Sequence, residues 1–443
     1  MKFFKQLYIN PLFFYLVIGI TILFGISFGF LPLFAISKML LLILFIVFCL
    51  DIILLFSKKT GITAQRITPE KLSNGDKNPI GIIIKNNYSF LIKTKLIDEI
   101  PIQFQIRNFE INRTIKSFQT LEYTYTIKPN TRGEYRFGNL NIYTATALGL
   151  VSKRYSFDGD ALVKVYPSFM QLRKYDLLAF SNRLTDYGMK KIRRIGHTME
   201  FEQIKEYVLG DDLRTINWNA TAKKNNLMVN QFQDEKSQNV YMLIDKGRTM
   251  KMPFNEMSLL DYAVNASLVL SNVIIKKHDK AGMLAFSKTI NNRVTADRKG
   301  LQMQYITENL YNIDNAYYES DYSKLYAEVK TNIKHRSLLI LYTNFETLDG
   351  LNRQLPYLKA IAKNHLLVVV FFQNTELHQI TKNKASTLQE IYDKTIAEKF
   401  IFEKKLIANE LKKYGIHSVL TQPENLTIDT INKYLEIKAR GIL

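Results

Sequence analysis

The chain of 443 residues contains little of several residue types. Its one cysteine, Cys49, excludes internal disulfides and zinc sites built from several cysteines, which favours a reducing compartment. With 19 glycines and 10 prolines the chain is too poor in both for a fibrous protein, and with 47% hydrophobic residues it is too apolar for disorder. It lacks a Walker A loop and a GxGxxG motif, so nucleotide binding is not predicted. The length predicts a folded protein of several domains.

Acidic residues are also scarce, since 60 Lys and Arg stand against 40 Asp and Glu, for a net charge of +20. The basic excess is spread along the chain, and the one tight cluster comprises Lys190, Lys191, Arg193 and Arg194. A nucleic-acid-binding surface would concentrate its basic residues in one domain, so no nucleic-acid partner is expected. Diffuse positive charge suits a protein held against an anionic membrane leaflet.

Charge is absent altogether from residues 6–37. Two membrane-spanning helices are predicted within residues 1–58, near Leu12–Leu31 and Leu33–Phe56, with the turn at Pro32. A cleaved signal peptide is the alternative. It is disfavoured because no small-residue cleavage site follows the first apolar run and a second run begins at once.

Basic residues flank this hairpin on both sides, at Lys2, Lys5, Lys58, Lys59 and Arg66. The positive-inside rule therefore predicts a two-pass protein of the inner (cytoplasmic) membrane, with the soluble domains in the cytoplasm. Asp51 lies near the inner end of the second helix, where its carboxylate is expected to reach headgroups and Lys58.

Short β-rich runs broken by turn residues follow in residues 59–169. The predicted strands are Ile80–Lys85, Ile102–Ile106, Leu121–Ile127, Gly138–Ala145 and Ala161–Tyr166. They indicate an antiparallel β-sandwich with Tyr135 and Phe137 on one buried face. This region has no predicted catalytic group and is interpreted as a spacer or interaction module.

The last part, residues 239–443, alternates strands and helices. The predicted strands are Val240–Asp245, Ala281–Phe286, Leu338–Thr343, Leu366–Phe372 and Ser418–Thr421. The predicted helices are Met257–Lys277, Lys299–Asn312, Tyr322–Lys334, Leu351–Asn364, Leu388–Tyr414 and Ile428–Arg440. Nearly continuous apolar strands between helices predict a doubly wound α/β domain, whose ligand site belongs at the carboxyl ends of its strands.

Residues 170–238 form a connector, with a possible helix at Leu172–Arg183, followed by the chemically richest stretch of the chain. Two interpretations of that stretch stay open. Its carboxylates are those of Glu200, Glu206, Asp211 and Asp212. In the first interpretation they are acids or bases of an enzyme. In the second, which is favoured, Arg214 and Lys205 neutralise them in an ion-paired loop. Strands at Leu227–Asp234 and Asn239–Asp245 are expected to be neighbours.

This stretch resembles the signature of the DUF58 family. The matching residues, in order, are Gly196, Glu200, Phe201, Lys205, Glu206, Tyr207, Gly210, Asp211, Asp212, Arg214, Ile216, Trp218, Ala220 and Ala222. The sequence departs from the family pattern at Asn217, where Asp is usual, and at Lys205 and Lys223, where Arg is usual.

The resemblance implies a partner and a set of recognition residues. Family members are similar to partners of MoxR-type AAA ATPases and are implicated in assembly or activation of other proteins. The residues expected to serve protein interaction are Glu200, Glu206, Tyr207, Gly210, Asp211, Asp212, Arg214 and Trp218.

Residues Asp245 to Met250 also resemble the metal-binding loop of von Willebrand A domains. The resemblance places the ligands of a divalent cation at Asp245, Thr249, Ser320 and Asn344. Gly247 lacks the usual hydroxyl, and Asn344 is an amide where a carboxylate is expected. One anionic ligand offsets little of the dehydration of magnesium, so a degenerate site without metal, and no cofactor, is expected.

The chain is therefore expected to be a non-enzymatic, membrane-anchored adaptor for a cytoplasmic protein, with a MoxR-type AAA ATPase as the partner and an unknown client. No small-molecule substrate is identified. The alternative is a hydrolytic enzyme that uses carboxylates of residues 200–212.

Overall fold

The computed structural model describes residues 2–157, 159–172, 199–208, 211, 213–234, 237–382 and 387–442. These form two compact units, Met1–Tyr166 and Pro167–Leu443. Most of the predicted connector helix Leu172–Arg183, the basic cluster at 190–194, and residues Gly210 and Asp212 lie outside the described residues.

The N-terminal unit begins with three helices, Lys2–Gln6, Pro11–Ile26 and Leu31–Phe56. The first predicted span is wrong at its end, because its helix stops at Ile26 and not at Leu31. Ser27 and Gly29 form a turn there, and the Ser27 hydroxyl donates to the Phe24 carbonyl. Pro32 lies in the first turn of the next helix, where its missing N–H costs nothing.

Two of the described helices are long and apolar enough to cross a membrane, Pro32–Phe56 and Leu259–Lys276. The second is 78% buried within its own unit, so it is a core helix. Helix Leu31–Phe56 is roughly 39 Å long and exposes much of its apolar surface, whereas Pro11–Ile26 is apolar but only roughly 24 Å long. Residues 31–56 are thus the candidate membrane span by length and composition.

Eleven strands are described in the N-terminal unit. They are β1 (Leu7–Ile9), β2 (Ile62–Ile67), β3 (Lys71–Ser73), β4 (Asn78–Asn86), β5 (Ile92–Asp98), β6 (Glu110–Ile115), β7 (Thr120–Ile127), β8 (Gly133–Phe137), β9 (Leu140–Ala145), β10 (Val151–Phe157) and β11 (Ala161–Tyr166). They form a sheet of order β1-β10-β9-β5-β6 and two smaller sheets, β3-β11-β8 and β2-β4-β7. All pairs are antiparallel except β3 with β11.

One apolar core is shared by these three sheets. Strands β4 and β5 alternate buried and exposed residues, as strands with one solvated face do. Tyr135 and Phe137 are both buried in this core, as predicted. The expectation of a strand at Ile102–Ile106 is wrong: Ile102–Phe104 is a 3₁₀ turn after Pro101, and Ile102 is 85% exposed.

Asp51, near the end of helix Leu31–Phe56, is fully buried against the turn between β9 and β10. Its carboxylate accepts hydrogen bonds from the Thr146 hydroxyl at 2.5 Å and from the N–H groups of Leu150 and Val151, each at 3.0 Å. The expectation that Asp51 reaches headgroups and Lys58 is wrong, because these three donors satisfy the carboxylate within the protein.

The C-terminal unit has ten described strands. They are β12 (Met199–Glu206), β13 (Met228–Asp234), β14 (Asn239–Asp245), β15 (Pro253–Phe254), β16 (Met257–Ser258), β17 (Lys280–Phe286), β18 (Ile290–Asp297), β19 (Leu338–Tyr342), β20 (Leu366–Phe372) and β21 (His417–Thr421). Six form one sheet of order β18-β17-β14-β19-β20-β21, parallel except for the edge strand β18.

Helices lie on both faces of this sheet. Those of the unit are Trp218–Lys224, Leu259–Lys276, Gln302–Tyr311, Tyr322–Asn332, Leu348–Asn364, Thr375–Lys382, Leu388–Lys413 and Leu426–Arg440. Alternate residues of β14 enter two different cores: Met242 packs with helices 259–276 and 426–440, and Leu243 packs with helices 322–332 and 348–364. The predicted alternation of strands and helices in this α/β unit is confirmed.

The expectation that strands Leu227–Asp234 and Asn239–Asp245 are neighbours is wrong. Strand β13 pairs with β12 in a separate two-stranded antiparallel sheet, whereas β14 pairs with β17 and β19. The physical reason is burial: β14 is apolar on both faces and occupies the sheet centre, while β13 is too polar for that position.

Candidate functional site

Asp245 ends strand β14, and Thr343 and Asn344 follow the adjacent strand β19. The chain leaves β14 for β17 on one side and later returns to β19 on the other side, so these residues lie where the strand order reverses. Such a crevice at the carboxyl ends of strands is the usual ligand position in open α/β sheets.

The buried Asp245 carboxylate is surrounded by hydrogen-bond donors. Oδ1 accepts from the Gly247 N–H at 2.8 Å and from the Ser320 hydroxyl, and Oδ2 accepts from the hydroxyls of Thr343 at 2.7 Å and Tyr322 at 3.3 Å. Burial raises the pKa of Asp245, and the hydrogen bonds from Ser320 and Gly247 oppose that rise. Four neutral donors thus satisfy the carboxylate, and among the described residues it has no salt-bridge partner.

Gly247 leaves the space that the Ser320 hydroxyl occupies. A Cβ atom at position 247 would lie 2.3 Å from Ser320 Oγ and 3.1 Å from Asp245 Oδ1. A side chain at position 247 is therefore incompatible with the present hydrogen bond between Ser320 and Asp245.

Asn344 is bound by a lysine from a distant helix. Lys404 of helix Leu388–Lys413 donates to Asn344 Oδ1 at 2.7 Å and to the Phe345 carbonyl. Burial lowers the pKa of Lys404 to about 8, and the charge of Glu346 opposes that shift. An ammonium group thus bonds the side chain that was expected to replace a metal-binding carboxylate.

The structure places all four predicted metal ligands around one cavity of about 100 Å³, which Asp245, Thr249, Ser320 and Asn344 help to line. No group of three His, Cys, Asp or Glu that could hold a metal occurs among the described residues. Among the four predicted ligands, Asp245 is the single carboxylate and has a raised pKa, and Asn344 is already bound by a lysine, so this set fits a divalent cation poorly.

A larger, mostly apolar cavity of about 310 Å³ adjoins this edge. It shares Asn344 and Glu346 with the smaller one and is also lined by Phe372, Phe400 and Lys404. Sequence reasoning missed Lys404, which lies 159 residues from Asp245 among other charged residues of its helix. It also missed Tyr322 and Thr343 as partners of Asp245. The available signal was that Tyr322 begins a predicted helix and Thr343 ends a predicted strand next to that of Asp245.

The signature segment is built on the pair β12 and β13, with Glu200 opposite Gln233 and Glu206 opposite Met228. Asp211 Oδ1 accepts from Lys205 Nζ at 2.9 Å, and Oδ2 accepts from the Val208 N–H at 3.0 Å. These hydrogen bonds lower the pKa of Asp211, and the bond from Lys205 has the larger effect. The partner of Asp211 is therefore Lys205. The side chains of Glu200 and Arg214 lie outside the described residues.

Asn217 begins the short helix Trp218–Lys224. Its Oδ1 accepts from the Ala220 N–H at 3.0 Å, and its amide donates to Asn230 Oδ1 at 2.8 Å. An Asn in place of the usual Asp thus serves as an N-cap. Trp218 is 70% exposed, so it does not anchor the segment from inside, while Tyr207 is half-buried.

Residues 203–388 match the family model described as "Protein of unknown function DUF58". Over these residues the chain is similar to the DUF58 family, and we call residues 203–388 the DUF58 region. The predicted family resemblance is thus confirmed over this region, which includes Asp245, Ser320 and Asn344.

A curated relative, "Uncharacterized protein YeaD" of Bacillus subtilis (strain 168), is 26% identical over 175 residues, or 39% of this chain and 41% of the relative. The match spans less than half of that relative's length. The solved structure of the conserved hypothetical protein BatB from Bacteroides thetaiotaomicron is 15% identical, covers 46% of this chain and all of its own, and has a TM-score of 0.32.

A CARDB domain from Pyrococcus furiosus, solved in complex with di-metal ions, is 15% identical over 24% of this chain and 86% of its own, with a TM-score of 0.18. At these TM-scores neither structure informs the function of this chain.

Proposed function

We propose that this protein is a non-enzymatic adaptor, attached to the cytoplasmic membrane by its N-terminal helices, that presents the DUF58 region to a cytoplasmic protein. The proposed partner is a MoxR-type AAA ATPase, acting on a further client. The partner class and the von Willebrand A-like character of the α/β unit come from the family resemblance.

The exposure of Trp218 is the observation that carries this proposal. Its backbone is held in place, because Asn217 N–H donates to the Met228 carbonyl at 2.9 Å and Tyr207 N–H donates to the Leu227 carbonyl at 2.8 Å. These bonds bring Val208, Trp218 and Leu227 close together along the backbone, and all three side chains are exposed.

A fixed, exposed tryptophan beside other apolar side chains favours protein recognition. Tryptophan is enriched among the interface residues that contribute most binding free energy. Leu213, 64% exposed, adds apolar surface in the same segment. We call Val208, Leu213, Trp218 and Leu227 the signature patch.

The carboxylates of the segment favour recognition over hydrolysis. Lys205 and Glu206 are consecutive in strand β12 and therefore project to opposite faces. Because Asp211 is bound to Lys205, Glu206 and Asp211 do not converge as an acid and a base of one active site would. The Asp245 carboxylate is buried and is enclosed by hydroxyl and N–H donors.

The test is a binding measurement with the full chain in detergent and a purified MoxR-type AAA ATPase from the same organism. Trp218→Ala should weaken binding at least tenfold, as expected for a central interface residue. Tyr305→Ala is the matched control, because Tyr305 is an exposed aromatic residue on a different helix of the same unit. The proposal fails if the wild-type chain does not bind the ATPase, or if both variants bind like wild type.

A further inference from the structure

A cationic groove lies on the outer face of the five-stranded sheet in the N-terminal unit. Its volume is about 920 Å³, and its lining includes Lys93, Lys95, Arg113, Asn112 and Tyr143. Three basic residues and no acidic residue line it among the described part of the chain. Its electrostatic character therefore suits an anion.

The strand register and the salt bridges show which basic side chain of the groove is free to bind an anion. Lys93 and Lys95 of β5 pair with Ala145 and Tyr143 of β9, so both project from the outer face of the sheet. Lys95 forms a salt bridge of 2.6 Å with Glu110, whereas Lys93 forms none with any described residue. Arg113 packs its guanidinium over the Tyr123 ring. Lys93 and Arg113 thus have no carboxylate partner among the described residues, and Lys93 is the one whose cation is not already packed on an aromatic ring.

The groove opens where the first apolar helix begins. Asn10, the residue before helix Pro11–Ile26, donates from its backbone N–H to the Leu150 carbonyl at 3.0 Å and from its side-chain amide to the Gly149 carbonyl at 2.9 Å. The Ser152 hydroxyl donates to Asn10 Oδ1 at 2.7 Å. Three hydrogen bonds therefore fix the start of the helix on the wall of the groove.

A second groove continues from the first. It has a volume of about 520 Å³, lies between helices Pro11–Ile26 and Leu31–Phe56, and is lined by apolar residues such as Leu16, Ile20 and Leu44. Leu12 and Leu148 line both grooves, so the cationic groove passes directly into this interhelix groove. A cationic surface joined to an apolar channel matches an amphiphile with an anionic head.

We propose that these two grooves bind one anionic phospholipid of the cytoplasmic leaflet, with its phosphate at Lys93 and an acyl chain between the two helices. This inference rests on the membrane attachment in the proposed function. The edge-to-face pair of Tyr8 and Tyr143, with centroids 5.0 Å apart, lies beside the groove, and tyrosines concentrate at this depth of a membrane. A free phosphate would use Lys93 but not the interhelix groove.

The test is native mass spectrometry of the full chain in detergent, titrated with phosphatidylglycerol and with phosphatidylcholine of identical acyl chains. Phosphatidylglycerol should bind more tightly, and Lys93→Gln should weaken its binding about fivefold, the effect of one lysine near an anionic headgroup. Lys85→Gln is the matched control, since Lys85 is an exposed strand lysine outside the groove.

A variant at Gly19 tests the proposed position of the acyl chain. Gly19 lines the interhelix groove, and a Cβ atom added there would meet no other atom within 4 Å. Gly19→Leu should fill the groove and weaken both lipids, and it should not harm the helix because leucine favours helix more than glycine does. If inorganic phosphate displaces phosphatidylglycerol and Gly19→Leu has no effect, the site binds free anions and the proposal is wrong. Equal affinity for the two lipids also overturns it, and that comparison needs no variant.

Alkaline carbonate extraction of membranes separates this inference from the proposed function. If the wild-type chain is released, membrane attachment itself fails. If the chain stays in the membrane but shows no preference for phosphatidylglycerol, only the lipid site is disproved. Thermal melting of Lys93→Gln and Gly19→Leu shows whether a loss of binding reflects a loss of fold.

Discussion

The Asp51 carboxylate accepts a 2.5 Å hydrogen bond from the hydroxyl of Thr146, a residue 95 positions further along the chain. This bond joins the end of the long apolar helix to the turn after β9. The Leu150 and Val151 N–H groups bind the same carboxylate, so a single side chain satisfies three donors within the N-terminal unit.

We therefore predict that Asp51→Ala destabilises the N-terminal unit by about 1–3 kcal/mol, because buried donors lose their acceptor. Asp51→Asn should cost less, since one oxygen remains. The measurement is the midpoint of thermal unfolding of the full chain in detergent. Glu122→Ala, which changes an exposed acid of β7, is the control and should melt like wild type. Equal midpoints for Asp51→Ala and Glu122→Ala would show that the carboxylate is not held as described.

Asp51 also shows which features could not be predicted from the sequence. The apolar run, the β-rich region and the α/β alternation could all be predicted, because hydrophobic periodicity is local. The partner of Asp51 could not, since a buried acid beside an apolar helix has the same local sequence whether it contacts lipid or a distant turn. Strand β1 was missed for a related reason: Leu7–Ile9 lies in a charge-free run and becomes a strand only by pairing with β10.

The candidate site shows the same limit. Asp245 and Asn344 were predictable because each follows an apolar strand, and parallel strands bring their carboxyl ends to one edge. Lys404 was not predictable, because it lies in the middle of a helix with no local feature that sets it apart. Edge strand β18 was also missed, since its sequence is polar and only half-buried.

Gly247 and Ser320 provide the second prediction. Gly247→Ala should destabilise the α/β unit by about 1–3 kcal/mol, because the new Cβ overlaps the Ser320 hydroxyl. Ser320→Ala alone also costs stability, since Asp245 loses a donor. The double variant should be more stable than the sum of the two losses predicts, because only one atom can occupy the space. Chemical unfolding of the four proteins measures this coupling, and strict additivity would contradict the overlap.

The third prediction concerns magnesium. The wild-type chain should show no magnesium binding tighter than about 10⁻⁴ M by calorimetry, because one carboxylate offsets little of the dehydration of the ion. Asn344→Asp alone should not create affinity, since the new carboxylate would pair with Lys404. Asn344→Asp combined with Lys404→Met should bind more tightly than either single variant. Micromolar binding by wild type that Asp245→Ala abolishes would show that the existing ligands suffice.

Lys404 provides a fourth prediction, about pH. Its folded-state pKa of about 8 lies below its ordinary value of 10.5, so between these pH values the unfolded chain binds more protons than the folded chain. Stability must then rise with pH across this window, and below pH 8 the cost of burying the charge is fully present. Lys404→Met lacks this titration, so the stability of wild type relative to this variant should increase by on the order of 1 kcal/mol from pH 7.5 to 9.5.

The measurement is chemical unfolding of both proteins at several pH values in one buffer series, which cancels the titration of every other group. Lys405→Met is the matched control, because Lys405 neighbours Lys404 in the same helix and its side chain is exposed. A difference between wild type and Lys404→Met that stays constant with pH would contradict a lowered pKa.

The last prediction concerns Arg214 of the signature segment. The acids of this segment are expected to be neutralised by its own basic residues, and Lys205 does this for Asp211. If Arg214 is paired internally, Arg214→Ala should cost about 1–3 kcal/mol by leaving acceptors unsatisfied. Lys205→Ala gives the comparison, because its pair with Asp211 is partly exposed and should cost no more than about 1 kcal/mol. Thermal melting of both variants decides: an unchanged midpoint for Arg214→Ala, with weakened binding of the ATPase, would assign Arg214 to the partner interface beside Trp218.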